Sequence, residues 1–244
     1  MLIPARLLVN GATITREHPP RITWLHVELA DPTGAPVHDI VLAEGLPTES
    51  YLDTGNRDAF ANGGPALNLH PDFGRDIWAR KSHAPLILEG AEIEALRSWL
   101  LACAETLGHR RTTNPNLRIT CDGVPLIPIV DGLWHRMTLP AGAHHITITS
   151  QTAIPAEVLE TSNDPRPLGI GLASWSLDHQ PHTLDDPSLA TGWHPAETTI
   201  RWTAGNATIN VQNTTHISLA LHPVPAYWAT TPTDQPNPAR AAIR

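Results

Sequence analysis

The sequence predicts a mainly β protein with one amphipathic helix, and three observations carry that prediction. Proline accounts for 24 of the 244 residues, about twice the average usage of roughly 5%, and proline favours turns and sheet edges. From residue 116 onwards, short apolar runs recur about every ten residues, separated by Asp-Gly and Ala-Gly turns. Only residues 89–108 have apolar residues at the three-and-four spacing of a helix face.

Composition and charge exclude several classes of partner. With 16 Lys and Arg against 24 Asp and Glu, the formal net charge is −8, which argues against a nucleic-acid or polybasic membrane-binding surface. No run reaches the roughly 18 apolar residues that span a bilayer, and the first residues lack the pattern of a cleavable leader. We therefore expect a soluble protein without membrane insertion, and its localisation stays open.

Cysteine usage gives no sign of a metal site. Cys103 and Cys121 are the two cysteines of the chain, and they form no CxxC pattern or disulfide framework. A single bridge between them stays open. We expect no metal and no cofactor.

The first 57 residues are predicted to form a small β-unit. Residues 2–14 give an apolar segment, a turn at Asn10-Gly11 and a resumed strand over residues 12–15. Residues 21–30 alternate between two faces, as a strand does, and residues 37–43 follow as its antiparallel partner. We expect residues 40–43 to be buried and an ordered loop to follow them.

Two larger elements are predicted downstream. Residues 58–115 form a loop and helical connector, with an apolar helix face made of Ile93, Leu96, Leu100, Cys103 and Leu107. Residues 116–230 form one antiparallel β-sandwich of about eight strands. Residues 231–244 are expected to be a flexible tail.

The amino-acid sequence of the first 57 residues resembles that of a known family. The segments LIPARLLVNGATI, WLHVELA and HDIVLAEGLPTESYLDTG occur in that order, and they resemble the final part of the bacterial Hint (Hedgehog/intein) domain. The resemblance implies a compact β-fold that can process itself by an acyl shift. That chemistry needs a Cys or Ser at the start of the domain and a Thr/Ser-x-x-His segment before the LIPARLLVNG motif.

Neither of these catalytic parts is present in the matching segment, because no cysteine precedes Cys103 and no histidine precedes His18. The chain is therefore interpreted as the carboxyl-terminal portion of a Hint domain that lacks the catalytic half, an autoprocessing remnant with a structural or interaction role. It is not expected to be an enzyme unless an upstream or split segment supplies the nucleophile. The expected partner is a separate chain that provides the missing half.

Three residues are candidates for a remnant of the Hint site. The resemblance places His26 and His38 at positions where the family carries histidine, and Glu44 precedes a glycine nearby. The alternative is that both histidines are hydrogen-bonded structural groups and that Glu44 is a partner at a strand end rather than a general base.

A second function is a carbohydrate-binding or surface-interaction module. The motif GWHPAE followed by RWT resembles β-sandwich modules attached to bacterial glycan-related proteins. The candidate glycan-binding residues of this motif are Trp193, His194, Glu197, Arg201 and Trp202. Aromatic faces stack on sugars while polar groups bind hydroxyls. The alternative is that Trp202 packs in the sandwich and that Arg201 pairs with Glu197. A hydrolase is the weakest reading, since no Gly-x-Ser-x-Gly or HExxH motif occurs.

Overall fold

The computed structural model describes residues 1–65 and 69–229, which fall into two compact units. Unit 1 consists of Met1–Ala5 and Glu17–Gly90, whereas unit 2 contains Arg6–Arg16 and the chain from Ala91 onwards. The predicted flexible tail, residues 231–244, lies outside the described residues. The domain boundaries at residues 57, 115 and 230 stay predictions, because compact units need not coincide with domains.

Unit 1 has little regular structure. Its strands and helices are β1 (Leu29–Ala30), β2 (Pro36–Val37), β3 (Ile40–Ala43), β4 (Leu46–Glu49), a 3-10 helix (Arg57–Ala59) and α1 (Phe73–Lys81). β1 pairs antiparallel with β2, and β3 pairs antiparallel with β4. A further 3-10 turn covers Ala5–Leu7.

Two predictions for unit 1 are wrong. Of the strand predicted over residues 21–30, only Leu29–Ala30 forms, because no strand among the described residues pairs with residues 21–28. β3 is largely exposed rather than buried. The reason is that β3 and β4 form a two-stranded hairpin, which lacks the further strands or packed helix that bury a sheet face.

Unit 2 is built around a β-sandwich. Its helices are α2 (Ala91–Thr106) and α3 (Pro155–Val158), and its strands are β5 (Arg111–Thr112), β6 (Arg118–Cys121), β7 (Val124–Pro125), β8 (Ile129–Asp131), β9 (Trp134–Thr138), β10 (His145–Thr149), β11 (Ile170–Leu177), β12 (Gln180–His182), β13 (Arg201–Trp202), β14 (Asn206–Asn210), β15 (His216–Pro223) and β16 (Tyr227–Trp228). One sheet has the order β14-β10-β6-β7, and the other has β12-β11-β15-β9-β8 with β13 on β11. Every pairing in the two sheets is antiparallel.

The core lies between these two sheets. In β10, Ile146 and Ile148 are buried, and β15 buries Ile217 and Leu219 in the same apolar cluster. Alternate residues of a strand point to one face, so each sheet contributes one apolar face to the cluster. The mainly β prediction is therefore confirmed, with four and six strands in the two sheets.

The helix prediction is confirmed in its position and in part in its face, since Leu96, Leu100 and Cys103 are partly buried. α2 occupies Ala91–Thr106, and it buries Ile93, Arg97, Leu101 and Ala104, whereas Leu107 is 72% exposed. Arg97 can be buried because its guanidinium donates to Ser162 O at 2.8 Å. Hydrophobic spacing could not reveal a buried arginine. Both cysteines are free thiols, and among the described helices none is long and apolar enough to cross a bilayer.

The turn predicted at Asn10-Gly11 is present, and it lies in unit 2. Asn10 is buried, and its Oδ1 accepts the backbone N–H groups of residues 12–14. The indole N–H of Trp228 donates to Asn10 O at 2.8 Å. The strand predicted over residues 12–15 is wrong, because one side chain takes the N–H groups that a ladder would use.

Candidate functional site

The candidate site of unit 1 is centred on His38, which lies just after β2. Its Nδ1 is 3.3 Å from Ser50 Oγ, and its Nε2 is 3.3 Å from Glu49 Oε1 outside the geometry of a hydrogen bond. The side chains of His38 and Glu49 are mostly buried. The hairpin of β3 and β4 brings these groups together, since Ser50 and Asp39 exchange two hydrogen bonds beyond its last pair.

His83 completes this cluster from the segment after α1. Its ring stacks on that of His38 with centroids 5.2 Å apart, and its Nε2 lies 2.9 Å from His38 O. The backbone N–H of His83 also donates to Glu49 Oε1 at 2.7 Å. Glu49 therefore holds both histidines in place, and we call His38, Glu49, Ser50 and His83 the His38 cluster.

The hydrogen bonds of the His38 cluster determine what it can do. Ser50 Oγ accepts the N–H of Asp39 at 3.0 Å and lies within hydrogen-bond distance of Nδ1 of His38, while Nε2 of the same ring faces Glu49. This is the order of a serine, histidine and carboxylate triad. However, Ser50 is only 5% exposed, and its oxygen is already engaged. In this arrangement the cluster ties together the two strands at the end of the hairpin.

The other two remnant candidates lie apart from the His38 cluster. His26 is exposed, and its ring packs edge-on against Phe60 and Tyr51, with centroids 4.8 and 5.9 Å away. It lines a cavity of about 410 Å³ together with Ser50. Glu44 stands at the β3–β4 turn with a positive φ of 50°, and no hydrogen bond or ion pair of Glu44 occurs within the described part of the chain. Glu49, and not Glu44, faces a histidine.

An ionic network lies beside this cavity. Arg57 binds Glu28 through both terminal nitrogens, and its Nε donates to Asp53 Oδ2 at 3.0 Å. Its guanidinium also lies 5.3 Å from the centre of the Tyr51 ring. These hydrogen bonds hold the pKa of Glu28 and of Asp53 below their usual values and raise the pKa of Arg57. The carboxylates stay ionised, so the network can bind polar groups but is not suited to accept protons near neutral pH.

The sequence interpretation missed Ser50, His83 and Arg57. One signal could have found Ser50. Glu44-Gly45 is a two-residue hairpin turn, and such a turn fixes the register of its strands, which places residue 39 opposite residue 50. By contrast, His83 reaches Glu49 and Arg57 reaches Glu28 over distances in sequence that no local pattern reports, whereas Asp53 lies only four residues before Arg57.

The tryptophans of the predicted glycan site pack against the protein. Trp193 is partly buried against the sandwich core, and its indole N–H donates to Thr208 O at 3.0 Å. Trp202 is partly buried against the second apolar cluster of unit 2, which includes Tyr227. Stacking on a sugar needs an exposed aromatic face. Glycan binding therefore stays a prediction.

The charged residues of that segment are paired differently from the expectation. Glu197 binds Arg166 at 2.7 Å, so the predicted pair of Glu197 with Arg201 is wrong. Arg201 instead donates to the carbonyl groups of His194 and Leu184, both at 2.9 Å. His194 Nε2 lies 3.0 Å from Pro167 O. The polar groups thus fasten the loop to its surroundings. In the described residues 1–65 and 69–229, no three His, Cys, Asp or Glu side chains are arranged to hold a metal ion.

Comparison with known proteins gives one family match. The family model described as the Hint domain matches residues 1–55, which is less than a quarter of the 244 residues. No curated protein and no solved structure matches the chain. The matched residues include Arg6–Arg16 of unit 2 and all four described strands of unit 1. The first 55 residues are therefore similar to a Hint domain, as their sequence motifs predict.

Proposed function

We propose that residues 1–55 are the carboxyl-terminal part of a Hint-type fold that has no catalytic role in this chain and that docks strands supplied by a separate chain. The observation that carries this proposal is a set of uncovered apolar side chains in unit 1. We call this set the unit 1 apolar surface, and its members are Ile22, Trp24, Leu25, Val27, Ile40, Leu42 and Leu46.

The segment before β1 supports docking most directly. Trp24 is 75% exposed and Leu25 is 87% exposed. Both side chains are therefore uncovered, whereas His26 of the same segment packs against Phe60 and Tyr51. Exposed apolar residues grouped in this way mark a surface that another polypeptide can cover.

The backbone of the same segment is also available for pairing. Val27 O accepts the N–H of Tyr51 at 2.7 Å, but residues 21–28 belong to no ladder in the described structure. Unpaired edges of this kind add strands from other chains. A polypeptide that supplies a β-strand would cover the side chains and satisfy the backbone together.

The His38 cluster fits this role because it stabilises the hairpin. Ser50 and His38 hold the ends of β3 and β4 together, as described above, and they present no free nucleophile. We expect the purified chain to keep its full mass on incubation with a thiol or with hydroxylamine, which cleave thioester and ester intermediates. Fragments in the mass spectrum would contradict the non-catalytic part of the proposal.

A binding measurement tests the docking part. The probe is the amino-terminal half of a complete Hint domain, expressed as a separate labelled polypeptide and titrated with the full chain in a fluorescence-anisotropy assay. We expect saturable binding that Leu25→Glu weakens at least about tenfold, which corresponds to about 1.4 kcal/mol. Leu107→Glu is the matched control, since Leu107 is similarly exposed in unit 2. Absence of binding, or equal weakening by both variants, would contradict the proposal.

A further inference from the structure

The two sheets of unit 2 end side by side in an exposed apolar edge. β7 is the last strand of one sheet and β8 is the last strand of the other, and residues 126–128 connect them. We call the exposed aliphatic residues of this connection the edge patch, which consists of Val124, Ile127, Ile129, Val130 and Leu133. Ile127 is 93% exposed. This degree of exposure for an isoleucine in an ordered sandwich calls for a partner surface.

The edge patch includes residues that belong to the inner faces of the sandwich. Val124 pairs with the buried Cys121, so its side chain points to the same inner side. Val130 pairs with His135, two positions from the buried Met137, and therefore also points inward. Both valines are nevertheless exposed. The core is thus open at this edge, between one valine of each sheet.

The connection holds Ile127 in a fixed position. Pro125 and Pro128 flank it and restrict φ, and Leu126 anchors it by packing on the core and donating its N–H to Ile119 O at 2.9 Å. Ile127 is therefore a fixed projection beside the open edge.

We propose that the edge patch is the interface of a two-fold symmetric homodimer, in which Ile127 of each copy enters the open edge between Val124 and Val130 of the other copy. A two-fold interface must be self-complementary, and this patch carries both the projection and the cleft that receives it. A partner with only one of these features would leave the other exposed.

The charges around the edge patch favour a second copy as the occupant. Each chain carries a net charge of −8, so two copies repel over most of their surface. The rim of the patch instead carries one acid and one base, Asp131 and Arg136, which are 3.3 Å apart. Two copies therefore meet without net charge there, and two-fold symmetry lets each Arg136 also face Asp131 of the other copy. Five aliphatic residues are fewer than the about 20–30 residues per side of a standard interface, so the dimer is expected to be weak.

Sedimentation velocity over a wide concentration range tests the dimer with the full chain. The wild-type protein should show a reversible monomer–dimer equilibrium, and Ile127→Asp should weaken it at least tenfold while leaving the unfolding curve unchanged, because Ile127 is exposed in the monomer. Leu107→Asp is the matched control and should not alter the equilibrium. A wild-type protein that stays monomeric, or a dimer that persists in Ile127→Asp, would overturn the proposal.

A charge exchange tests the two-fold arrangement itself. Asp131→Arg should weaken the dimer by placing like charges together, and the double variant Asp131→Arg with Arg136→Asp should restore it. Failure of the double variant to restore the dimer would overturn the pairing across the symmetry axis. Leu25→Glu, which tests the docking role of unit 1, should leave the dimer unchanged, so that the two proposals fail or succeed separately.

Discussion

The two units of this chain use similar apolar residues with opposite outcomes. Ser50 is the only buried residue of unit 1 within the described range, whereas the buried apolar residues of the described chain all lie in unit 2. In unit 2, two sheets cover each other, so strand alternation becomes a core. In unit 1, residues 21–28 have the same alternation and β3 is a continuous apolar run, but neither has a covering layer. Apolar periodicity therefore predicts a strand only where the partner strands are present.

The largest difference between the units should appear in core truncations. Leu219→Ala in β15 removes a fully buried side chain and should lower the free energy of unfolding by about 2–5 kcal/mol. Leu42→Ala in β3 removes an exposed one and should change it by less than about 0.5 kcal/mol. Urea denaturation of both variants measures the difference. Equal losses would show that unit 1 has a core comparable to that of unit 2.

The next prediction tests whether Trp193 stabilises the sandwich core or binds a glycan. Trp193 packs on the sandwich core and donates to Thr208 O, so Trp193→Ala should cost about 1–3 kcal/mol through the lost hydrogen bond and the lost core contacts. Trp99 on α2 is the control, since it is exposed and its replacement by alanine should cost less than about 0.5 kcal/mol. If Trp193→Ala unfolded like the wild type and abolished binding to a glycan array, the carbohydrate interpretation would be favoured instead.

A further effect concerns residues 6–16, the part of the Hint-like segment that belongs to unit 2. Gly11 has a φ of +68°, and a Cβ there would come within 2.9 Å of Glu157 Oε2. Gly142 has a φ of +78° but nothing within 4 Å, so it isolates the cost of the backbone conformation. Gly11→Ala should destabilise by about 1–3 kcal/mol and Gly142→Ala by about 1 kcal/mol. Equal effects in thermal unfolding would mean that residues 6–16 do not pack tightly in unit 2.

Burial in unit 2 should also leave a small pH signature. Burial raises the pKa of Glu157, against the opposing charge of Arg16. The folded state then binds the proton more tightly than the unfolded state, so this group contributes stability below the ordinary glutamate pKa of about 4.5 that is lost as pH rises through the raised pKa. Glu157→Gln should therefore be more stable than the wild type at neutral pH, and the difference should shrink in acid. Denaturation at acid and neutral pH measures this difference in the free energy of unfolding. A Glu157→Gln variant that is less stable than the wild type at neutral pH would contradict the prediction.

Much of unit 2 could be predicted from the sequence because its signals are local. The alternation in β10 and β15 and the turn at Asn10-Gly11 depend on neighbouring residues, and the structure confirms them. The buried side of α2 could be predicted only in part, because Arg97 is buried through acceptors more than sixty residues away. Hydrophobic periodicity assigns only apolar residues to the buried face of α2, so it cannot assign Arg97 to that face.

The candidate site was predictable only in part. The resemblance drew attention to His38, but its partners depend on the register of the β3–β4 hairpin and on His83, which lies 45 residues further along the chain. The sequence offers Glu44 as the candidate carboxylate, but Glu44 is exposed at the β3–β4 turn, and Glu49 is the carboxylate beside His38. A family pattern can thus identify a position without identifying its contacts.

Hydrogen exchange of the full chain, with and without the amino-terminal half of a Hint domain, tests the central claim most directly. In the chain alone, the amides of residues 21–28 should exchange with little protection, whereas those of β10 and β15 should exchange only through global unfolding. Adding the Hint half should protect residues 21–28 and 40–49 and leave β10 and β15 unchanged. The account would be contradicted if residues 21–28 were as protected as β10 in the chain alone, or if the Hint half left their exchange unaltered.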